Sequence, residues 1–297
     1  MSQLTTIHKA VQFIDAHLRT PVTVGDVGDA VGYSLFHFSR TFNRIAHHTP
    51  YDYLMRRRVS ESASDVLGGG RLIIDIAYDY QFANPETFTR AFRRMFGVTP
   101  SDARAQPSSL CREPMPALSV ADLAHRSSPA AGKPVAVAEP ECLLVALQTL
   151  TGKDAEGVDA LWQTLIAEMS VQGLAAANYY AVLWETCKTG ARGLMAVCAT
   201  AQGRTAETAA PRPPLLSLRL PQRPAARCPH HGPASAVSLS RAYITHTWLP
   251  KAKLWPADPT IVLDYGERPG GAEVPPVALS IGVSAEPHAM GRCSEQA

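Results

Sequence analysis

The chain has 297 residues, 46% of them hydrophobic, and a formal net charge of +2. That length suffices for two or three domains, and so even a charge balance gives no pointer of its own to a nucleic-acid partner. The opening MSQLTTIHKA lacks a signal pattern, no apolar run reaches membrane-spanning length, and the six cysteines form no CxxC pair. The expected setting is a reducing cytoplasm with free thiols and no membrane partner.

The first 100 residues hold only four of the 24 prolines and read as packed helices. A leading helix over Ile7–Leu18 carries apolar residues at 7, 10, 11, 14 and 18. Thr23 is a cap for a short helix that buries Val24, Val27, Ala30 and Val31. Gly32-Tyr33 makes a turn, and Ser34 caps a helix burying Phe38, Phe42 and Ile45. A connecting helix runs from Pro50 to Leu67, with Arg56, Arg57 and Arg58 partly outward, and ends at Gly68-Gly69-Gly70. A second short helix then buries Ile73, Ile76, Ala77 and Tyr80. Asn84 and Pro85 open the next helix, whose core side is Phe88, Phe92, Met95 and Phe96.

These helices repeat. Asp26-Val27 matches Asp75-Ile76 at an offset of 49, whereas Phe38-Ser39-Arg40-Thr41-Phe42 matches Phe88-Thr89-Arg90-Ala91-Phe92 at 50, as Thr49-Pro50 matches Thr99-Pro100. One extra residue in an interhelical turn accounts for the step. Two copies of a helix-turn-helix are the simplest reading.

Residues 107–133, rich in Pro, Ser and Ala, read as a linker with one helical turn near Leu118–His125. Beyond it the pattern alternates. Strands are expected at Val135–Val137, Cys142–Thr149, Tyr179–Glu185, Leu194–Ala199, Leu215–Leu220, Thr260–Asp264 and Val277–Val283. Helices are expected at Val158–Met169 and from Ser235 to Trp248. The expected fold is therefore multidomain: an all-α double helix-turn-helix domain, then an α+β domain of two pseudo-symmetric strand-helix-strand-strand halves. The domain boundaries are 1–106, a linker at 107–133, 134–284, and a disordered tail at 285–297.

A recognition helix buries one stripe and leaves polar groups near its N-terminus for base edges. Phe36, His37, Ser39 and Arg40 occupy such positions in the first copy, and Glu86, Thr87, Thr89 and Arg90 in the second. Arg44, Arg57, Arg58, Arg93 and Arg94 suit phosphate contacts, which position without reading. The segments GYSLFHFSRTFNRIAHHTPYDYLMRRR and IAYDYQFANPETFTRAFRRMFGVTPSDAR make residues 4–106 resemble the DNA-binding domain of AraC/XylS-type transcription regulators. That resemblance implies a monomer reading promoter DNA through Phe36, Ser39 and Arg40, then Glu86, Thr87 and Arg90, with RNA polymerase as a further partner. Gln81 stands where the family usually has Gly.

All four tryptophans lie beyond residue 160, which suits a pocket for a flat apolar or cationic ligand, or plain core filling. The segment from Leu218 to Tyr265 resembles the GyrI-like small-molecule-binding domain. The carrying features are the strand before His231-Gly232-Pro233, the helix ending Trp248-Leu249-Pro250, and the late strand ending at Tyr265. The resemblance implies an effector site, here for an aromatic or amphipathic and neutral molecule, because the usual Glu two residues before the tyrosine is Leu263. Tyr179, Tyr180, Trp184, Glu185, Trp255 and Tyr265 are the candidate pocket residues. The expected function is a transcription regulator controlled by that effector, with no enzymatic activity and no cofactor or metal. The alternatives are a GyrI-like hydrolase or a ligand-sequestering module in the C-terminal domain. Cys228 and His230 share a strand face, but no partner pair at metal spacing accompanies them, and His47-His48 reads as a solvated helix end.

Overall fold

The computed structural model describes residues 2–128, 132–151, 158–184, 193–202, 211–267 and 276–287. The chain forms two compact units. One comprises Met1–Pro129, Thr245–Trp255 and Glu286–Ala297, and the other Ala130–Ile244 and Pro256–Ala285.

In the first unit α1 (Gln3–Ala16) begins where Ser2 accepts from the Thr5 amide, and buries Ile7, Ala10, Val11 and Ile14. Helices α2 (Val24–Ala30) and α3 (Leu35–Ala46) form the first helix-turn-helix, and α5 (Ile73–Asp79) and α6 (Pro85–Phe96) the second. The connecting α4 spans Pro50–Gly68, and α7 (Pro100–Ala105) follows the second copy. The turn between α2 and α3 is residues 31–34 and that between α5 and α6 is 80–84, so the extra residue lies between the helices. Thr23 and Asp26 form a reciprocal capping box, and Asn84 accepts from the Thr87 amide at 2.8 Å. Ser34 occupies the expected cap position of α3, but its hydroxyl makes no capping bond.

Aromatic rings at matching positions fill the core. Phe38 meets Phe42 edge-on at 5.5 Å, and Phe88 meets Phe92 at 5.8 Å. Such pairs add to the burial of ring area itself.

Residues expected to form a linker are largely built into this unit. Cys111, Met115, Leu118 and Leu123 are buried, and Met115, Leu118 and Leu123 join the same core as Phe38 and Phe92. Helix α8 (Val120–Ser127), with a Ser119/Asp122 capping box, is longer than the single turn expected. The apolar residues are spaced irregularly between prolines, so the composition resembles a tether while the side chains still find core positions. Arg126 of α8 donates to the Ala46 carbonyl at 2.8 Å and to Thr247 Oγ1 at 2.9 Å, and so helps to hold the segment Thr245–Trp255 in the unit.

The second unit is an eight-stranded sheet with helices. Its strands are β1 (Val135–Glu139), β2 (Cys142–Thr151), β3 (Ala175–Trp184), β4 (Gly193–Gln202), β5 (Leu216–Leu220), β6 (Arg223–Pro229), β7 (Trp255–Gly266) and β8 (Ala278–Ser284). Helix α9 (Val158–Val171) connects β2 to β3. Helix α10 (Val237–Tyr243) follows β6, and a π turn at Ile244–Trp248 and the short α11 (Leu249–Ala252) lead on to β7.

The spatial order is β1-β6-β8-β7-β3-β4-β2-β5. From the central β7–β3 pair outward, β7-β8-β6 on one side mirrors β3-β4-β2 on the other. These are two strand-helix-strand-strand halves, and β1 and β5 each extend the opposite half. Val182 pairs with Val262 at the centre. The Leu144, Ala146, Val182, Ala196, Cys198 and Val262 cluster lies on one face.

Candidate nucleic-acid interface

Helix α3 buries Phe38, Thr41, Phe42, Ile45 and Ala46, and α6 buries Phe88, Phe92, Met95 and Phe96. Each helix therefore leaves its other side in solvent. Phe36 is 77% exposed at the start of α3, an exposure that core packing gives no reason for. Arg40 and Arg44 are exposed one turn apart, as are Arg90 and Arg94 at the corresponding places of α6. Glu86 is exposed in the first turn of α6.

Ser39 and Thr87 are half-buried. The Thr87 hydroxyl donates to Asn84 Oδ1 at 2.8 Å and is thus engaged by the cap of its own helix. The Arg90 Nε donates to the Glu86 carbonyl at 3.4 Å, within its own helix. Arg44 donates to Gln3 Oε1, and Arg93 is exposed in the last turn of α6.

Two of the expected phosphate-contacting arginines are corrected. Arg57 is buried, its Nε donating to Asp15 Oδ1 at 2.6 Å, and it also reaches the Met115 carbonyl and Glu61. Arg58 is buried too, donating to the Leu18 and Thr20 carbonyls at 3.0 Å. Both sit on the inner side of α4, where they fasten α1 and the chain after it. A run of three arginines must place its members around a helix, and only Arg56 of the three is not buried.

Gln81, at φ 62°, matches Gly32, at φ 72°, in the turn of the other copy. Both turns close alike: Tyr33 donates to the Gly28 carbonyl at 2.9 Å and Phe82 to the Ala77 carbonyl at 3.0 Å. The Gln81 amide donates to the Arg19 carbonyl at 2.9 Å, an anchor that offsets part of the left-handed strain. Arg19 itself bridges Asp65 at 2.9 Å and Asp79 at 3.0 Å, and donates to the Tyr80 hydroxyl at 2.8 Å.

His48 is not the solvated helix end expected. It is 1% exposed, with Nδ1 at 2.9 Å from Asp52 and Nε2 at 3.0 Å from Thr247 Oγ1. Burial and the positive charges of Arg126 and Arg56 pull its pKa down to about 4, against the pull of Asp52.

The four effector-site candidates described within the second unit divide between the two faces of its sheet. Tyr180 and Trp184 pack on the Leu144–Val182 face of the sheet, whereas Tyr179 and Tyr265 meet Trp162 of α9, at 6.0 and 5.4 Å. Adjacent tyrosines on a strand point to opposite faces, which splits the pair. Trp255 belongs to the first unit, its ring under the Arg112 guanidinium at 4.6 Å. Glu185 lies outside the described residues, as do residues 288–297 of the expected tail. Burial raises the Tyr265 pKa to about 12. Asp264 is ion-paired with Arg227. Both ring nitrogens of His230 are engaged, by Ser240 Oγ and by the Pro233 carbonyl, each at 3.0 Å, and Cys228 donates to the Gly132 carbonyl. No helix among the described residues is long and apolar enough to cross a membrane.

Residues 27–106 match a family described as a helix-turn-helix domain. The regulatory protein SoxS of Escherichia coli (strain K12) is 36% identical over 104 residues, which are 35% of this chain and 97% of SoxS. The right origin-binding protein of the same strain is 36% identical over 107 residues, 36% of this chain and 37% of that protein. Among solved structures, the EcmrR C-terminal domain aligns over 52% of this chain and 98% of its own, with 11% identity and a TM-score of 0.41. The match to SoxS spans nearly all of that relative at 36% identity, and on that ground the chain belongs to the AraC-type family of DNA-binding transcription regulators.

Proposed function

We propose that this regulator reads an asymmetric site in double-stranded promoter DNA through α3 and α6, and that a small molecule held by the second unit modulates the outcome. The observation that carries the DNA half is that two repeat-related helices each leave one side to solvent: Phe36 and Arg40 exposed beside half-buried Ser39 on α3, and Glu86 and Arg90 exposed beside half-buried Thr87 on α6. Arginine pairs bidentately with guanine, glutamate accepts from cytosine N4, and Phe or a Thr methyl packs on the thymine methyl. Arg44, Arg93 and Arg94 supply phosphate contacts beside them. RNA polymerase is the further partner this reading calls for, because promoter occupancy affects transcription through it.

The effector half rests on the GyrI-like resemblance and on the cluster of Trp162, Tyr179 and Tyr265. Trp162 is 1% exposed, and its indole N–H has no acceptor among the described residues. A buried donor without a partner suits an aromatic or amphipathic ligand that carries an acceptor.

The direct test is footprinting of the native promoter with Arg40→Ala and Arg90→Ala. Each is expected to weaken specific binding by about 1–3 kcal/mol and to lose protection over a different half-element. Wild-type footprints from both variants would refute the assignment of readers.

A further inference from the structure

The first unit contains a cavity of about 380 Å³, within the roughly 300–1,000 Å³ typical of small-molecule sites. Every residue that lines it belongs to that unit. Four of them are cations: Arg56, Arg94, Arg112 and Lys253. The one carboxylate on the wall, Asp52, is already held by Arg56 at 2.8 Å and by His48 at 2.9 Å. The remaining wall is apolar, with Met55, Val59, Leu254 and Trp255.

Arg112 is the unusual member. It is 3% exposed and has no carboxylate partner among the described residues. One terminal nitrogen donates to the Leu254 carbonyl at 3.0 Å, the other reaches the Met95 carbonyl at 3.5 Å, and Nε has no acceptor. Its guanidinium stacks over the Trp255 ring at 4.6 Å. Burying a guanidinium without a counter-charge is unfavourable, and arginine almost never goes inside unpaired. Burial and the nearby Arg56 charge bring its pKa down to about 10, the direction expected of a cation that lacks its anion.

We infer that this cavity binds a small organic anion, a carboxylate on a flat or short apolar body, whose charge faces Arg112, Arg56 and Lys253 and whose body lies along Trp255, Leu254 and Met55. The site is separate from the effector site proposed in the second unit and does not depend on it. Ala91, Arg94 and Met95 of α6 also line the cavity, so the bound anion would sit directly behind a recognition helix.

The test is calorimetric titration of the full chain with 1-naphthoate, with uncharged 1-naphthalenemethanol and with inorganic phosphate. The naphthoate is expected to bind at least about tenfold more tightly than either of the other two. Arg112→Gln is expected to remove that preference. Because Arg112 also bonds two carbonyls, Arg56→Gln and Lys253→Asn provide independent variants, and each is expected to weaken naphthoate by about threefold or more. Asparagine suits position 253, where φ is 57°. Arg219→Gln, at an exposed position of β5 outside both proposed sites, is expected to leave the carboxylate preference unchanged. Equal binding of the alcohol, equal binding of phosphate, or wild-type naphthoate affinity in folded Arg56→Gln and Lys253→Asn would each overturn the inference.

Discussion

Gln81 holds a left-handed backbone that its counterpart Gly32 adopts freely, and its side chain returns a hydrogen bond to the Arg19 carbonyl. Gln81→Ala keeps the strain and loses the bond, whereas Gln81→Gly relieves the strain. The glycine variant is therefore expected to be the more stable of the two by about 1 kcal/mol in urea unfolding. Arg57 gives a second contrast. Its partner Asp15 is largely buried, and removing the guanidinium leaves that carboxylate with the Tyr53 hydroxyl as its remaining partner among the described residues. Arg57→Leu is expected to cost roughly 3 kcal/mol of stability. In the protein that remains folded, the salt dependence of DNA binding should match wild type. A smaller salt slope would restore Arg57 as a phosphate contact. Nothing in the triplet Arg56-Arg57-Arg58 distinguishes an inward from an outward arginine, because helix phase within one turn depends on which neighbours pack there.

At the scale of elements, the two helix-turn-helix copies were legible because their signals are local. Phe38 and Phe42, like Phe88 and Phe92, recur at helical spacing, and caps and turn residues flank them. The contribution of α8 was less so, since Met115, Leu118 and Leu123 show no period and their burial depends on partners far along the chain. His48 illustrates the same dependence. It lies between Asp52 of α4 and Thr247, and its side chain is held neutral by burial. An unfolded histidine titrates near 6.5, and the folded one near 4. As pH falls through that window the unfolded chain takes up a proton that the folded chain refuses. Stability is therefore expected to drop between pH 6.5 and about 4, by at most about 1.4 kcal/mol per pH unit from this group. Asp52 acts lower. Burial alone would raise its pKa, but the His48 hydrogen bond and the Arg56 charge bring it to about 2, so its own contribution is lost only below its usual range near 3.8. His48→Gln should flatten the stability profile between pH 4 and 6.5, and an unchanged slope there would show that other groups carry it.

For the whole molecule, a net charge of +2 leaves DNA affinity to the placement of a few arginines. If Arg44, Arg93 and Arg94 meet phosphates, each change to alanine should reduce the slope of log K against log salt by about 0.9, with similar loss on specific and non-specific DNA. The unequal reading surfaces also call for two different half-elements about one helical turn apart.

The sequence by itself determined the helical repeat, its one-residue step, and the strand-helix-strand-strand alternation of the second unit, because each is written in short-range periodicity and turn chemistry, and two of its segments carried the family resemblance. Tertiary structure decided which arginines face inward, how the aromatic candidates divide between sheet faces, and that Thr245–Trp255 packs with the helices of the first unit. It also brought Arg112, which the sequence shows only as one basic residue in a proline-rich stretch, onto Trp255 more than a hundred positions away. Burial, charge pairing and cavities arise from contacts between distant residues, and no local pattern records those contacts.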